Sequence, residues 1–321
     1  MRAMRYHEFG GTECVREDVV ERPRPTADEI LVELAATSIN PADWQLGAGY
    51  ARGVIDFPMP FTPGMDFAGV VREVGSDVEG FAIGDRVFGA ELIARSGTYA
   101  EFVAVSAAIV AHLPATVSMN MAAAVPLAAL TAWEATVGAA HGNVRAGQHV
   151  LVQGGGGGTG TFAIQFAKQR GAYVIATSSA RNNDLLRSLG ADEVVDYEAV
   201  RFDDVIDSVD TVIDLVGGDV PLRSIPLIRK DGMLASIVPL PDTIAQCEVA
   251  ARQHGVRLSF VNMSVNRNRE TLAKIARQLE AGTLRVVVSE TYPLTEASKA
   301  LTQSRTGHVR GKIVMEIGSP E

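Results

Sequence analysis

The residues best suited to chemistry are glycines. The run Val150-Leu151-Val152-Gln153-Gly154-Gly155-Gly156-Gly157-Gly158-Thr159-Gly160 contains the spacing G-x-G-x-x-G as Gly155, Gly157 and Gly160. Alone the match is weak, because a glycine run also reads as a flexible linker. Its surroundings give it meaning. An apolar strand precedes it, and Phe162, Ile164, Phe166 and Ala167 follow with the pattern of a buried helix ending at Gly171. A second apolar strand then spans Tyr173–Thr177. Together these form a βαβ unit whose turn lets the backbone approach a pyrophosphate and meet its charge with amide N–H groups. Gly155, Gly156, Gly157, Gly158, Thr159 and Gly160 are therefore candidate cofactor-binding residues.

The end of the second strand bears on which dinucleotide is bound. NAD-binding chains place an acid there for the ribose 2′-hydroxyl, whereas this chain reads Thr177-Ser178-Ser179-Ala180-Arg181-Asn182-Asn183, with no acid before Asp184. Hydroxyls and a guanidinium suit a 2′-phosphate, so Ser178 and Arg181 point to NADPH. The competing reading makes them caps of the next helix.

The elements that must position these residues form two sections. From Met1 to about Pro114, short β-like runs (Ile30–Ala36, Gly69–Val74, Arg86–Phe88, Tyr99–Val105) are separated by Gly, Pro and Asp, which predicts a mainly antiparallel β region. Ser118–Ala140 is alanine-rich with helical spacing. From His149 onward, strand-like runs at His149–Gln153, Tyr173–Thr177, Glu193–Val195, Thr211–Leu215, Met233–Ile237 and Arg257–Phe260 alternate with helix-like ones. This alternation predicts a doubly wound parallel sheet. After a helix-like stretch at Glu270–Glu280, Pro293–Ile317 returns to β character, so the tail is expected to rejoin the first domain.

At 321 residues the chain is long for one core and comfortable for two. A net charge of −9 argues against a nucleic-acid partner. The longest nearly apolar run, Met121–Trp133, contains Pro126 and is too short to span a membrane. Cys14 and Cys247 stand alone, and the six histidines show no ligand-like i, i+4 pairing. The expectation is a cytoplasmic enzyme without a metal.

In order and spacing, the motifs Ser38-Ile39-Asn40-Pro41-Ala42-Asp43-Trp44, Pro63-Gly64-Met65-Asp66-Phe67-Ala68-Gly69, Gly84-Asp85-Arg86-Val87, Gly97-Thr98-Tyr99-Ala100-Glu101, Asp214-Leu215-Val216-Gly217-Gly218 and Gly307-His308-Val309-Arg310-Gly311-Lys312 resemble the medium-chain dehydrogenases/reductases, specifically their zinc-free quinone oxidoreductase branch. The resemblance covers essentially the whole chain. It implies an α/β fold: a Rossmann doubly wound parallel sheet domain at 122–265, and a GroES-like mainly-β domain built from 1–121 and 266–321, with the active site in the cleft between them. It implies that Tyr197 lies beside the adenosine phosphate, and that Leu215, Val216, Val238, Phe260 and Asn262 surround the nicotinamide. Zinc enzymes of the superfamily carry a Cys near Asn40 and Gly-His-Glu where this chain has Gly64-Met65-Asp66, and a thioether is a poor zinc ligand.

Without a Lewis acid, the implied reaction is hydride transfer from NADPH to an acceptor that is already electrophilic, a quinone or an α,β-unsaturated carbonyl compound. By the same resemblance Asn40 is the candidate donor to the acceptor and Tyr50 a phenol that donates a proton or stacks. Against these stand a bracing role for Asn40 before Pro41 and ordinary packing for Tyr50; Asp43 and Asp66 read more readily as turn caps. A non-catalytic NADPH-binding sensor is the alternative of another class. A homodimer is expected from the resemblance.

Overall fold

The computed structural model describes residues 1–53, 58–91, 97–238, 241–262 and 268–320. Parts of the loops Ala48–Phe61 and Glu91–Ser96 lie outside the described residues. The chain forms two compact units, Met1–Leu127 with Arg267–Glu321, and Ala128–Asn266.

In chain order the strands are β1 (Arg2–Tyr6), β2 (Val15–Val19), β3 (Glu29–Ser38), β4 (Asp66–Val74), β5 (Arg86–Ala90), β6 (Phe102–Ser106) and β7 (Val110–His112). Then follow β8 (His149–Gln153), β9 (Tyr173–Ser178), β10 (Glu193–Asp196), β11 (Val209–Asp214), β12 (Ile228–Ser236) and β13 (Arg257–Phe260), and finally β14 (Val288–Pro293) and β15 (Lys312–Glu316).

In the first unit β3 is the organising strand. Its sequence, Glu-Ile-Leu-Val-Glu-Leu-Ala-Ala-Thr-Ser, is buried almost throughout, because β4 and β6 pair antiparallel along it and β15 pairs with its far end. A strand covered on both faces needs continuous rather than alternating apolar character. Ile30, Val32, Leu34, Phe67, Val71 and Val103 form the core on one side, and Ile39, Met65, Tyr99, Ile313 and Met315 join Tyr6 and Phe61 in a second cluster. The sheet runs β14-β15-β3-β4-β5-β7, so the end of the chain supplies two strands to a sheet begun by its start.

The second unit is a six-stranded parallel sheet in the order β10-β9-β8-β11-β12-β13. The chain winds outward from β8 in one direction and from β11 in the other. Their neighbouring carboxyl ends, where Gln153 opposes Asp214, are the switch point at which open α/β sheets bind ligands. Between β8 and β9 lies the helix Gly158–Gln169, which buries Phe162, Ile164 and Phe166 as its apolar spacing requires. The alanine-rich segment splits into helices Met119–Ala123 and Pro126–Thr136, since Pro126 lacks the N–H that a continuous helix would need.

Candidate functional site

Two networks carry chemistry, one in each unit. In the second unit the glycine turn follows β8. Gly154 turns the chain at φ +75°, a conformation glycine adopts without penalty, and Gly155 N donates to Thr177 O at 2.9 Å. A Cβ on Gly160 would lie 2.3 Å from Gly154 O, so only glycine lets the helix pack this close to the turn. A Cβ on Gly156 would lie 2.6 Å from Asn182 Nδ2 and 2.8 Å from Ser178 Oγ, so its absence keeps these polar atoms beside the turn.

Gly157 caps the helix with no side chain over its end and no acid in the first turn. The amides of Gly158, Thr159 and Gly160 cannot find carbonyl partners within the helix, and with the positive end of the helix dipole they favour an anion. The turn fits a dinucleotide pyrophosphate.

Around it stand the other residues named from sequence. Ser178 is buried and accepts from Asn182 Nδ2 at 2.8 Å, while Tyr197, half exposed, donates its backbone N–H to Ser178 O at 3.2 Å. Arg181 is exposed on the segment after β9. Val216 borders the turn, its Cγ2 3.0 Å from where a Gly154 Cβ would sit, with Leu215 next to it. A Cβ on Gly217 would meet Val238, and Phe260 pairs with Ser236 at the end of β12, with Val261 and Asn262 following. The structure thus brings these residues to the carboxyl edge of one sheet.

Sequence reasoning missed what braces this edge. Buried Asp214 accepts from Val216 N at 3.1 Å, Gly217 N at 3.0 Å and Ser236 Oγ at 2.7 Å, fixing the loop that carries Leu215 and Val216. Thr177 Oγ1 donates to Gln153 Oε1 at 2.7 Å and accepts from Gly154 N at 3.1 Å. Asn182 was equally unforeseen. Each is a common polar residue whose role comes from the partner opposite it.

In the first unit register builds the network. Val314 opposes Ser38 across the antiparallel pair β15 and β3, so Lys312 comes opposite Asn40, two residues back along β15 and two on from Ser38. Ala36 opposes Ala68 across β3 and β4, which brings Asp66 to Ser38. Residues two apart share a face, and the three chemical groups therefore converge.

Lys312 Nζ donates to Ile39 O at 2.8 Å, Asn40 Oδ1 at 2.6 Å and Asp66 Oδ2 at 3.3 Å, which uses all three of its N–H groups. Asp66 Oδ2 also accepts from Asn40 Nδ2 at 2.8 Å and Ser38 Oγ at 2.7 Å, and its Oδ1 from Leu127 N at 2.7 Å. Asp66 is fully buried. It was expected as a turn cap; its Oδ1 does hold an amide in the first turn of the helix Pro126–Thr136, and its Oδ2 is also half of a buried ion pair.

Asp43 does cap. Its Oδ2 accepts from Asn40 N at 2.7 Å, the arm of a capping box, and from Tyr99 OH at 2.8 Å. Complete burial pushes its carboxyl up to about 7 in spite of those two bonds. Burial, with the Asp43 carboxylate beside it, also holds the Tyr99 phenol well above the usual range.

Asn40 precedes the seven-residue helix Pro41–Gly47 and Tyr50 follows it. Tyr50 is 72% exposed, its ring edge-on to Trp44 at 6.1 Å. The arrangement offers a buried, charge-braced carboxamide and an exposed phenol at opposite ends of one helix.

The family model described as an alcohol dehydrogenase GroES-like domain matches residues 26–115, and that of a zinc-binding dehydrogenase matches residues 189–315. The 2-methylene-furan-3-one reductase of Solanum lycopersicum is 34% identical over 98% of this chain and 79% of its own length. The chain belongs to the medium-chain dehydrogenase/reductase family. It is an enzyme of that family's oxidoreductase class. Among solved structures, the quinone oxidoreductase from Coxiella burnetii is 33% identical with a TM-score of 0.93, each chain covered to 99%. The Escherichia coli quinone oxidoreductase complexed with NADPH is 25% identical with a TM-score of 0.87, over 99% of this chain and 100% of that one.

Within the family, the name of the zinc-binding dehydrogenase model raises the question of metal. Among the described residues no group of three or more His, Cys, Asp or Glu side chains could hold one. Next to Met65, the amide of Asn40 and the carboxylate of Asp66 already bind an ammonium, so this donor set does not fit zinc. Among the described residues no helix is long and apolar enough to cross a membrane.

Proposed function

We propose that the chain is an NADPH-dependent reductase that transfers hydride to a quinone-type acceptor without a metal. The observation that carries this reading is the glycine turn at the sheet's switch point. It presents a helix N-terminus to an anion, and the five residues that follow β9, Ser179–Asn183, include no acid to repel a 2′-phosphate. The NADPH named for the E. coli structure supports it.

In this reading Gly155–Gly160 hold the pyrophosphate, and Ser178, Arg181 and Tyr197 hold the adenosine phosphate, with Asn182 bracing Ser178. Leu215, Val216, Val238, Phe260 and Asn262 enclose the nicotinamide. When bound, the cofactor supplies a hydride, and with one proton this converts a quinone to its hydroquinone. Asn40 donates from Nδ2 to the acceptor oxygen as negative charge develops there, the same task as an oxyanion-hole amide. Tyr50 offers a phenol to stack on a flat acceptor or to supply the proton.

A 2-methylene-furan-3-one carries a double bond conjugated to its ketone, so the tomato relative's name favours a second reading in which hydride adds to such a bond and Asn40 holds the enolate oxygen. A cytoplasmic homodimer completes the proposal; the place of β13 as the end strand of its sheet among the described residues supports pairing with a second copy.

The test is NADPH oxidation with a simple quinone and a simple enone side by side, with NADH as the control. Rapid turnover of the quinone with a clear NADPH preference supports the first reading. Turnover of the enone alone transfers the assignment to the second, and turnover of neither sinks both.

A further inference from the structure

We propose that Lys312 is a positioning residue: paired with Asp66, it locks the Asn40 carboxamide in one flip state and so leaves a single polarised N–H as the donor for the acceptor oxygen. This rests on the reading of Asn40 as the donor to that oxygen.

The geometry leaves one choice. Asn40 Oδ1 faces the Lys312 ammonium at 2.6 Å and Nδ2 faces the Asp66 carboxylate at 2.8 Å. The opposite flip would set NH2 against ammonium and carbonyl oxygen against carboxylate, two repulsions in place of two charge-assisted bonds. The amide orientation is therefore fixed by charge at both ends.

Asn40 carries two Nδ2–H groups, and Asp66 takes one. The other has no partner among the described residues. An ammonium drawing density from Oδ1 polarises the amide and strengthens that remaining N–H as a donor. Asn40 is only 6% exposed and Lys312 and Asp66 less, in surroundings that screen little. Asp43 Oδ2 meanwhile accepts from the backbone N–H of Asn40, which fixes the main chain that carries the carboxamide.

Removing Lys312 alone strands a buried carboxylate and endangers folding, so the pair is removed as a unit in Lys312→Met/Asp66→Asn, compared with Asn40→Ala and the triple variant. With asparagine side chains labelled by 15N, Asn40 in the wild type gives two well-separated, slowly exchanging amide protons. In Lys312→Met/Asp66→Asn they move toward the values of a free asparagine. Quinone turnover is expected to fall about 100-fold in kcat, with KM for NADPH unchanged. In the Asn40→Ala background the same two substitutions should change kcat by less than about twofold.

Unchanged Asn40 amide signals, or an equal kcat loss in both backgrounds, would overturn the proposal. If the wild type reduces neither quinone nor enone, the functional reading fails, and the amide signals alone decide whether the ion pair sets Asn40.

Discussion

Lys312 Nζ stands 2.6 Å from Asn40 Oδ1, so the first residue of the last strand reaches across the sheet to the residue that opens the helix Pro41–Gly47. The same ammonium pairs with Asp66 at 3.3 Å, with both side chains buried. Breaking such a pair from one side costs about 3–5 kcal/mol, while replacing both members is far milder. Lys312→Met should therefore lose about 3–5 kcal/mol in urea denaturation, and Lys312→Met/Asp66→Asn should recover most of it. Equal losses would show that the charge pair is not what matters.

Asp43 makes stability fall with rising pH. Its folded value, about 7, lies above the ordinary 3.8, so between those limits the folded chain holds a proton that the unfolded chain has released. The slope is at most about 1.4 kcal/mol per pH unit and vanishes above the upper limit. Asp43→Asn keeps an oxygen for Asn40 N and Tyr99 OH but cannot ionise. Unfolding measured from pH 4 to 8 should show the variant losing less stability than the wild type as pH rises through this window.

At the turn, Gly160→Ala places a methyl 2.3 Å from a backbone oxygen that cannot move aside, whereas Gly156→Ala meets only the side chains of Asn182 and Ser178. Fluorescence titration should show NADPH binding more than about tenfold weaker for Gly160→Ala, since a displaced turn misaims every amide. The smaller loss is expected for Gly156→Ala. The reverse order would contradict the packing described.

In the proposed reading Arg181 meets the 2′-phosphate, which NADH lacks. Removing one charge-assisted contact costs about 1.5–3 kcal/mol, so Arg181→Ala should weaken NADPH by about tenfold or more and leave NADH unchanged. A parallel loss for both would place Arg181 outside the phosphate contact.

Fold class was legible because it rests on periodicity: the strands His149–Gln153 and Arg257–Phe260 appear with the residues the apolar runs marked, and Tyr173–Thr177 extends by one residue to Ser178. Strand β12 was harder. It begins at Ile228 rather than Met233, since its first turn of Arg, Lys, Asp and Gly carries no apolar signal. The glycine turn could be read because its residue types are themselves unusual. The Lys312–Asp66–Asn40 cluster could not, since Lys312 and Asp66 are 246 residues apart in the chain. Their meeting depends on register between strands from opposite ends of the sequence, which no local pattern encodes. Asp214 and Asn182 were hidden for another reason: their bonds to Val216, Gly217 and Ser178 are local, and a lone Asp or Asn after a strand has many equivalent uses.

The central claim is tested most directly by a single turnover. The chain is loaded with NADPH deuterated at the transferred C4 position, mixed with excess quinone, and the loss of reduced nicotinamide absorbance is followed in wild type and Asn40→Ala. The account expects fast oxidation with a primary isotope effect, slowed about 100-fold or more by Asn40→Ala, with NADPH affinity intact. Oxidation no faster than in free solution, or a rate indifferent to both the deuterium and Asn40, would contradict it.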